Sequence, residues 1–176
     1  MSLEALRQAL PAYAKDIAAN LAALADADGL AASRTWGCFL ACAHAVGQVD
    51  VVRAIEAEAA RRLTAEVREA AKTAAAEMAL ANLYHRATHL MSNPEYRALP
   101  THLRLNALTP AGAPRADMEL WRLAVSAVHG CGACLDAHEA KLRALGVGVV
   151  EIQTALRIAA TVHAAGRVLA AARAAS

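Results

Sequence analysis

Val128-His129-Gly130-Cys131-Gly132-Ala133-Cys134-Leu135-Asp136-Ala137-His138-Glu139 interrupts an alanine-rich chain with a cluster of glycine, cysteine and histidine. Gly130 reads as a break between two helices, and the residues after it as the start of the second. On a helix beginning near Cys131, Cys131 and Cys134 stand at i, i+3, and Cys134 and His138 at i, i+4. All three can therefore share one face. The rest of the 176 residues reads as scaffold: 57% are hydrophobic, only 3% are aromatic, and more than a quarter are alanine, the strongest helix former. β-branched residues never gather into alternating runs bounded by turns. The expected fold is all-α, one domain over 1–176.

Working outward, helices are expected from about Arg115 to Val128, from the cysteine motif to Leu145, and from Val149 to Ala172. Toward the N-terminus, Leu3, Leu6 and Leu10 mark a short helical segment before Pro11, and Tyr13, Ile17, Leu21 and Leu24 continue at helical spacing to Asp26-Ala27-Asp28-Gly29. A helix from near Ser33 stops around Gly47, Asp50 offers an N-cap for the next from Val51 to Leu63, and Thr64 caps a long helix that Asn93-Pro94 ends. Ser92 to Pro114 is the loop-rich stretch, with a short apolar element around Leu103 to Leu108. The same order of elements on both sides suggests a duplication: repeat one about 30–92, linker about 93–114, repeat two about 115–176, packed about a pseudo-twofold axis. A shift of 85 residues, the interval from Trp36 to Trp121, also pairs His44 with His129. It sets Val46, Val49, Arg53 and Arg34 opposite Cys131, Cys134, His138 and Glu119, so only the second half carries the reactive set.

Eighteen basic residues against 16 acidic ones leave little net charge and no basic block, which argues against nucleic acid as a partner. The opening residues lack the features of a secretory signal, and Arg157, His163 and Arg167 interrupt the most apolar run, so no membrane span is expected. A soluble, cytoplasmic protein follows. In that compartment thiols are redox-active or metal-bound more often than they are structural disulfides.

The paired cysteines admit several chemistries. A thiol at a helix N-terminus is drawn toward thiolate, and a second thiol three residues away can resolve the product of its oxidation. A structural zinc site would need four ligands, with Cys38 and Cys42 as the other candidates, yet those two lie in an apolar helix beside Trp36 and Phe39 and read as core. Haem attachment would need histidine in place of Leu135. His129 reads as structural, like His44, and His85, His89, His102 and His163 read as surface residues. Glu119 lies twelve residues before Cys131. If its helix folds back on the next, its carboxylate can orient His138.

The pattern formed by Glu119, Cys131-Gly132-Ala133-Cys134 and His138 resembles the alkylhydroperoxidase AhpD family, within the carboxymuconolactone decarboxylase-like superfamily. The segments Ala9-Leu10-Pro11-Ala12-Tyr13-Ala14-Lys15-Asp16-Ile17, Glu119-Leu120-Trp121, Ala124-Val125-Ser126-Ala127 and Cys134-Leu135-Asp136-Ala137-His138-Glu139 are similar to that family too. The resemblance implies an internally duplicated, all-helical subunit assembled as a homotrimer. It implies an antioxidant enzyme reducing organic hydroperoxides, with no bound cofactor and no metal. Dihydrolipoamide on a lipoylated component of a 2-oxo acid dehydrogenase would supply electrons, and the peroxiredoxin AhpC would receive them. Carried over, Cys134 is the peroxidatic thiol passing through sulfenic acid, Cys131 its disulfide partner and proton donor, and Glu119 and His138 the proton relay. Close relatives place histidine directly before the second cysteine, where this chain has Ala133. The competing readings are a zinc-binding protein, a cysteine-independent, decarboxylase-like relative on the same scaffold, and a helical oligomerisation module with idle cysteines.

Overall fold

The computed structural model describes residues 1–27, 29–104 and 112–175, which form helices and connecting turns with no strand among them. α1 (Leu3–Ala9), a single 3-10 turn at Ala12–Ala14 and α2 (Lys15–Ala25) lead into α3 (Ala32–Val46), α4 (Val49–Arg62) and α5 (Ala65–Leu90). A one-turn helix, α6 (Glu95–Ala98), lies inside the stretch read as loop, and the apolar element expected around Leu103 to Leu108 falls largely outside the described residues. α7 (Arg115–His129), α8 (Gly132–Ala144) and α9 (Val149–Ala174) complete the chain.

Burial explains the layering. Every residue of α3 from Thr35 to Ala43 is buried, and α7 is buried at Asp117–Trp121 and Leu123–Ser126. Helices buried along most of their length belong in the middle. α3 and α7 accordingly pack on each other and on both long helices, α5 and α9, while α4 and α8 lie outside them. The interior of α5 is mostly alanine, with Ala70, Ala71, Ala74, Ala75 and Ala81 buried, which lets helix axes approach closely. At the tightest point, a Cβ on Gly37 would collide with the Trp121 indole. α9 is long and apolar enough to cross a membrane by length and composition alone. Its stripe Ile152, Ala155, Ile158, Val162, Ala165 and Leu169 is instead buried against the core helices.

The boundaries follow local chemistry, with one correction. Thr64 Oγ1 accepts from Val67 N at 3.4 Å, as its cap position predicts. Asp50 does not cap α4: Gln48 does, its Oε1 accepting from Val51 N at 2.8 Å, while Asp50 is buried in the first turn and pairs with Arg173. Glutamine is an unusual N-cap, and a carboxylate that finds a cation from α9 has no need of the helix end. Both halves carry three helices in the same order, of 15, 14 and 26 residues and of 15, 13 and 26. The left-handed glycines that end α3 and α7 are Gly47 and Gly130. Matching these ends shifts the correspondence by two residues from the tryptophan pairing. Cys131, Cys134, His138 and Glu119 then stand level with Gln48, Val51, Ile55 and Trp36.

Candidate active site

The turn between α7 and α8 fixes the first cysteine. Gly130, at φ 67°, donates its N–H to the Ala127 carbonyl, and Cys131 N donates to the Ser126 carbonyl at 3.1 Å. This is the paired-bond helix ending that favours glycine, because other residues are strained at positive φ. Cys131 is also the N-cap of α8, its carbonyl accepting from Leu135 N at 3.0 Å. One residue thus closes a helix and opens the next, with its sulfur in the disulfide and no side-chain bond to the helix end. Asn82 of α5 braces the turn, with Nδ2 3.1 Å from His129 Nδ1 and Oδ1 3.0 Å from Ser126 Oγ. His44, expected like His129 to be structural, has Nε2 2.8 Å from Glu56 Oε1.

Cys131 and Cys134 are joined in a disulfide across a Cα–Cα distance of 5.3 Å. Their exposures differ in kind. Cys131 is fully enclosed, whereas Cys134, at 6%, lines a cavity of about 420 Å³. Of the two, Cys134 is the residue that borders the cavity. His138, one turn further along α8, lines the same cavity. Its Nδ1 lies 2.7 Å from Glu119 Oε2, which leaves Nε2 as the other ring nitrogen available to a reacting group. α7 and α8 do fold back on each other, so the four residues singled out in the sequence meet in one place.

Glu119 is 4% exposed, and burial alone would raise its pKa. The hydrogen bond to His138, and then the charges of His138, Lys141 and Arg122, outweigh burial and hold the carboxyl down at about 2. Arg122 Nη1 donates to Glu119 Oε1 at 2.9 Å, and Lys141 Nζ lies 3.6 Å from Oε2. Each carboxylate oxygen therefore has its own cation, and Glu119 is a fixed anion through the neutral range.

Sequence reading missed Arg122, Lys141 and Glu77, all of which line the cavity. Arg122 stands at i+3 from Glu119 and Lys141 at i+3 from His138, spacings that could have flagged both. Glu77 comes from α5 and carried no such signal. His85 and His89 were read as surface residues; His89 is exposed and His85 half-buried, but both line the cavity, along with Ala133. Cys38 and Cys42 are wholly buried in α3, and burial pushes both thiols well above their ordinary range. They are core residues. Among the described residues no cluster of three or more His, Cys, Asp or Glu side chains is arranged to hold a metal ion.

Fold and site together define an all-helical protein with a dithiol–disulfide couple backed by an ionised acid–histidine pair. Residues 94–176 match the carboxymuconolactone decarboxylase family. Over 97% of its length the chain is 53% identical to the alkyl hydroperoxide reductase AhpD of Hyphomonas neptunium, covering 95% of that protein. It is 51% identical to the AhpD of Maricaulis maris, over 97% of this chain and 99% of the other. Against the AhpD of Caulobacter vibrioides identity is 55%, over 97% and 94%. The chain belongs to the AhpD family of alkyl hydroperoxide reductases.

Proposed function

We propose that this protein reduces organic hydroperoxides with the Cys131/Cys134 couple and is recharged by a dithiol. One observation carries the reading: Cys134, the member of the couple that lines the cavity, shares it with a histidine oriented by a buried, ionised acid. The Cys134 thiolate attacks the distal oxygen of ROOH, the O–O bond breaks, and sulfenic acid and ROH form, the leaving oxygen taking a proton from the Cys131 thiol or through His138. Cys131 sulfur then attacks the sulfenic sulfur and expels water, giving the disulfide. Two electrons and two protons from dihydrolipoamide restore both thiols. Cys134 is the peroxidatic thiol, Cys131 the partner and proton donor, and Glu119 and His138 the relay, with Glu119 stabilising the imidazolium as it forms.

The wider assignment goes with the family names. We place the protein in the cytoplasm as an antioxidant enzyme, passing electrons from the lipoylated component of a 2-oxo acid dehydrogenase to the peroxiredoxin AhpC. We also propose a duplicated subunit, assembled as a homotrimer. Apolar side chains left exposed on α5 and α9, Leu83, Leu90, Val149 and Val150, are surface that such an assembly would cover.

The test is hydroperoxide consumption driven by dihydrolipoamide, with and without a peroxiredoxin, on wild type and Cys134→Ser. Turnover by the wild type that is lost in the variant is expected. Turnover that survives in Cys134→Ser, or that is indifferent to thiol alkylation, would favour the decarboxylase-like reading instead.

A further inference from the structure

Resting on that functional reading, we infer that Glu77 and Arg122 are positioning residues for the reaction: Glu77 anchors the Arg122 guanidinium, and Arg122 fixes the rotation of the Glu119 carboxylate. Arg122 Nε and Nη2 both donate to Glu77 Oε2, at 3.1 and 2.8 Å, and Nη1 donates to Glu119 Oε1 at 2.9 Å. All three guanidinium nitrogens are engaged by two carboxylates from different helices. Because Oε1 of Glu119 is taken, Oε2 is the oxygen that points at His138 Nδ1. A carboxylate with one free oxygen turns easily about its last torsion, which is broad and roughly two-fold. Arg122 removes that freedom. The orientation of His138, and the choice of Nε2 as the nitrogen left over for chemistry, therefore trace back through Glu119 and Arg122 to α5.

The chain also balances charge. Two carboxylates, Glu77 and Glu119, stand against two cations, Arg122 and Lys141, so the group as a whole presents little net charge to the cavity. The side chains of Glu77 and Arg122 are 13% and 20% exposed, sheltered enough for this pairing to outweigh that of an open surface bridge. The charged and titratable groups facing the Glu119–His138 pair are Arg122 of α7, Lys141 of α8, and Glu77, His85 and His89 of α5. Of these, only Arg122 ties the acid to a second carboxylate. A lysine in its place would keep the charge but lose the planar fork.

The experiment is steady-state hydroperoxide reduction by wild type, Glu77→Gln, Glu77→Asp and Arg122→Lys, across the range in which imidazoles and thiols titrate. Each rate is normalised to titrated active-site thiol, so that the shape of the pH profile does not depend on how much protein folds. In Glu77→Gln and Arg122→Lys, kcat/KM is expected to fall roughly tenfold, with most of the loss in kcat and with both limbs of the profile displaced. Glu77→Asp, which keeps the charge, is expected to bring the limbs back toward their wild-type positions. A Glu77→Gln profile superimposable on wild type, with kcat/KM within about twofold, would overturn the inference. If the wild type itself shows no thiol-dependent turnover, it is the functional reading that has failed instead.

Discussion

The start of α4 and the start of α8 occupy equivalent places after the two left-handed glycines, and they are filled with opposite chemistry. At α4, Gln48 caps the helix and Val51 and Ile55 are buried. Level with them at α8 stand Cys131, Cys134 and His138. The preceding helices differ in the same way. Trp36 and Phe39, three residues apart on α3, stack with centroids 5.2 Å apart, and Arg62 lies 4.4 Å over the Trp36 ring. Their counterparts on α7 are Glu119 and Arg122, also three apart and joined at 2.9 Å. Where α3 carries an aromatic pair, α7 carries an ion pair at the same spacing before its terminal glycine.

The difference shows what a buried polar site requires. Burying an acid or an imidazole without partners is strongly unfavourable, whereas burying a stacked aromatic pair is not. The second half can carry Glu119 and His138 because Arg122, Lys141 and Glu77 surround them, and because Cys131 is held by its own backbone bonds.

The comparison can be broken most directly at the sulfur. Cys134→Ser is expected to abolish hydroperoxide turnover, while Cys38→Ser or Cys42→Ser leaves it in place, as measured by peroxide consumption per folded protein. Turnover sensitive to the α3 cysteines would mean that the wrong half had been identified as reactive. Next in size, Ile55→His puts an imidazole in the first half where Trp36 stands level with Glu119. A loss of about 2–4 kcal/mol is expected from the lost packing and the unpartnered ring, read from denaturant unfolding. A neutral result would show that the two halves tolerate polarity equally. Glu119→Gln should lower kcat by about a hundredfold, since it keeps the shape and removes the charge that stabilises the imidazolium. Wild-type rates in that variant would remove Glu119 from the relay.

The smallest effect is on acid stability. Glu119 titrates at about 2 in the folded chain, against an ordinary value of 4.5. A depressed folded-state value favours the native state fully above about pH 4.5, and the contribution is lost as the pH falls toward 2. Circular dichroism across that window should show Glu119→Gln losing less stability than wild type on acidification. Parallel curves would mean that the acid is not held in its ionised form by the fold.

Most helix boundaries were legible because they depend on nearest neighbours: glycine at a positive φ, threonine before a long helix, proline in the linker. Where legibility failed, the reasons were specific. Asp50 looked like a cap until Arg173, far along the chain, supplied a better partner. Matching the two tryptophans and matching the two helix-ending glycines give repeat registers two residues apart, because alanine-rich helices match at many offsets. Glu77 could not be read as part of the site, since nothing local distinguishes it from any solvated glutamate on a long helix.

By itself, the sequence determined the all-helical class and placed Cys131, Cys134 and His138 on one face, because helical spacing is a short-range property. Only the tertiary structure decided which cysteine lines the cavity, that Glu119 reaches His138, and that α5 contributes Arg122's anchor. Those relations depend on how α5, α7 and α8 pack, and that packing is set by small side chains buried throughout the core, with no signature near the motif itself.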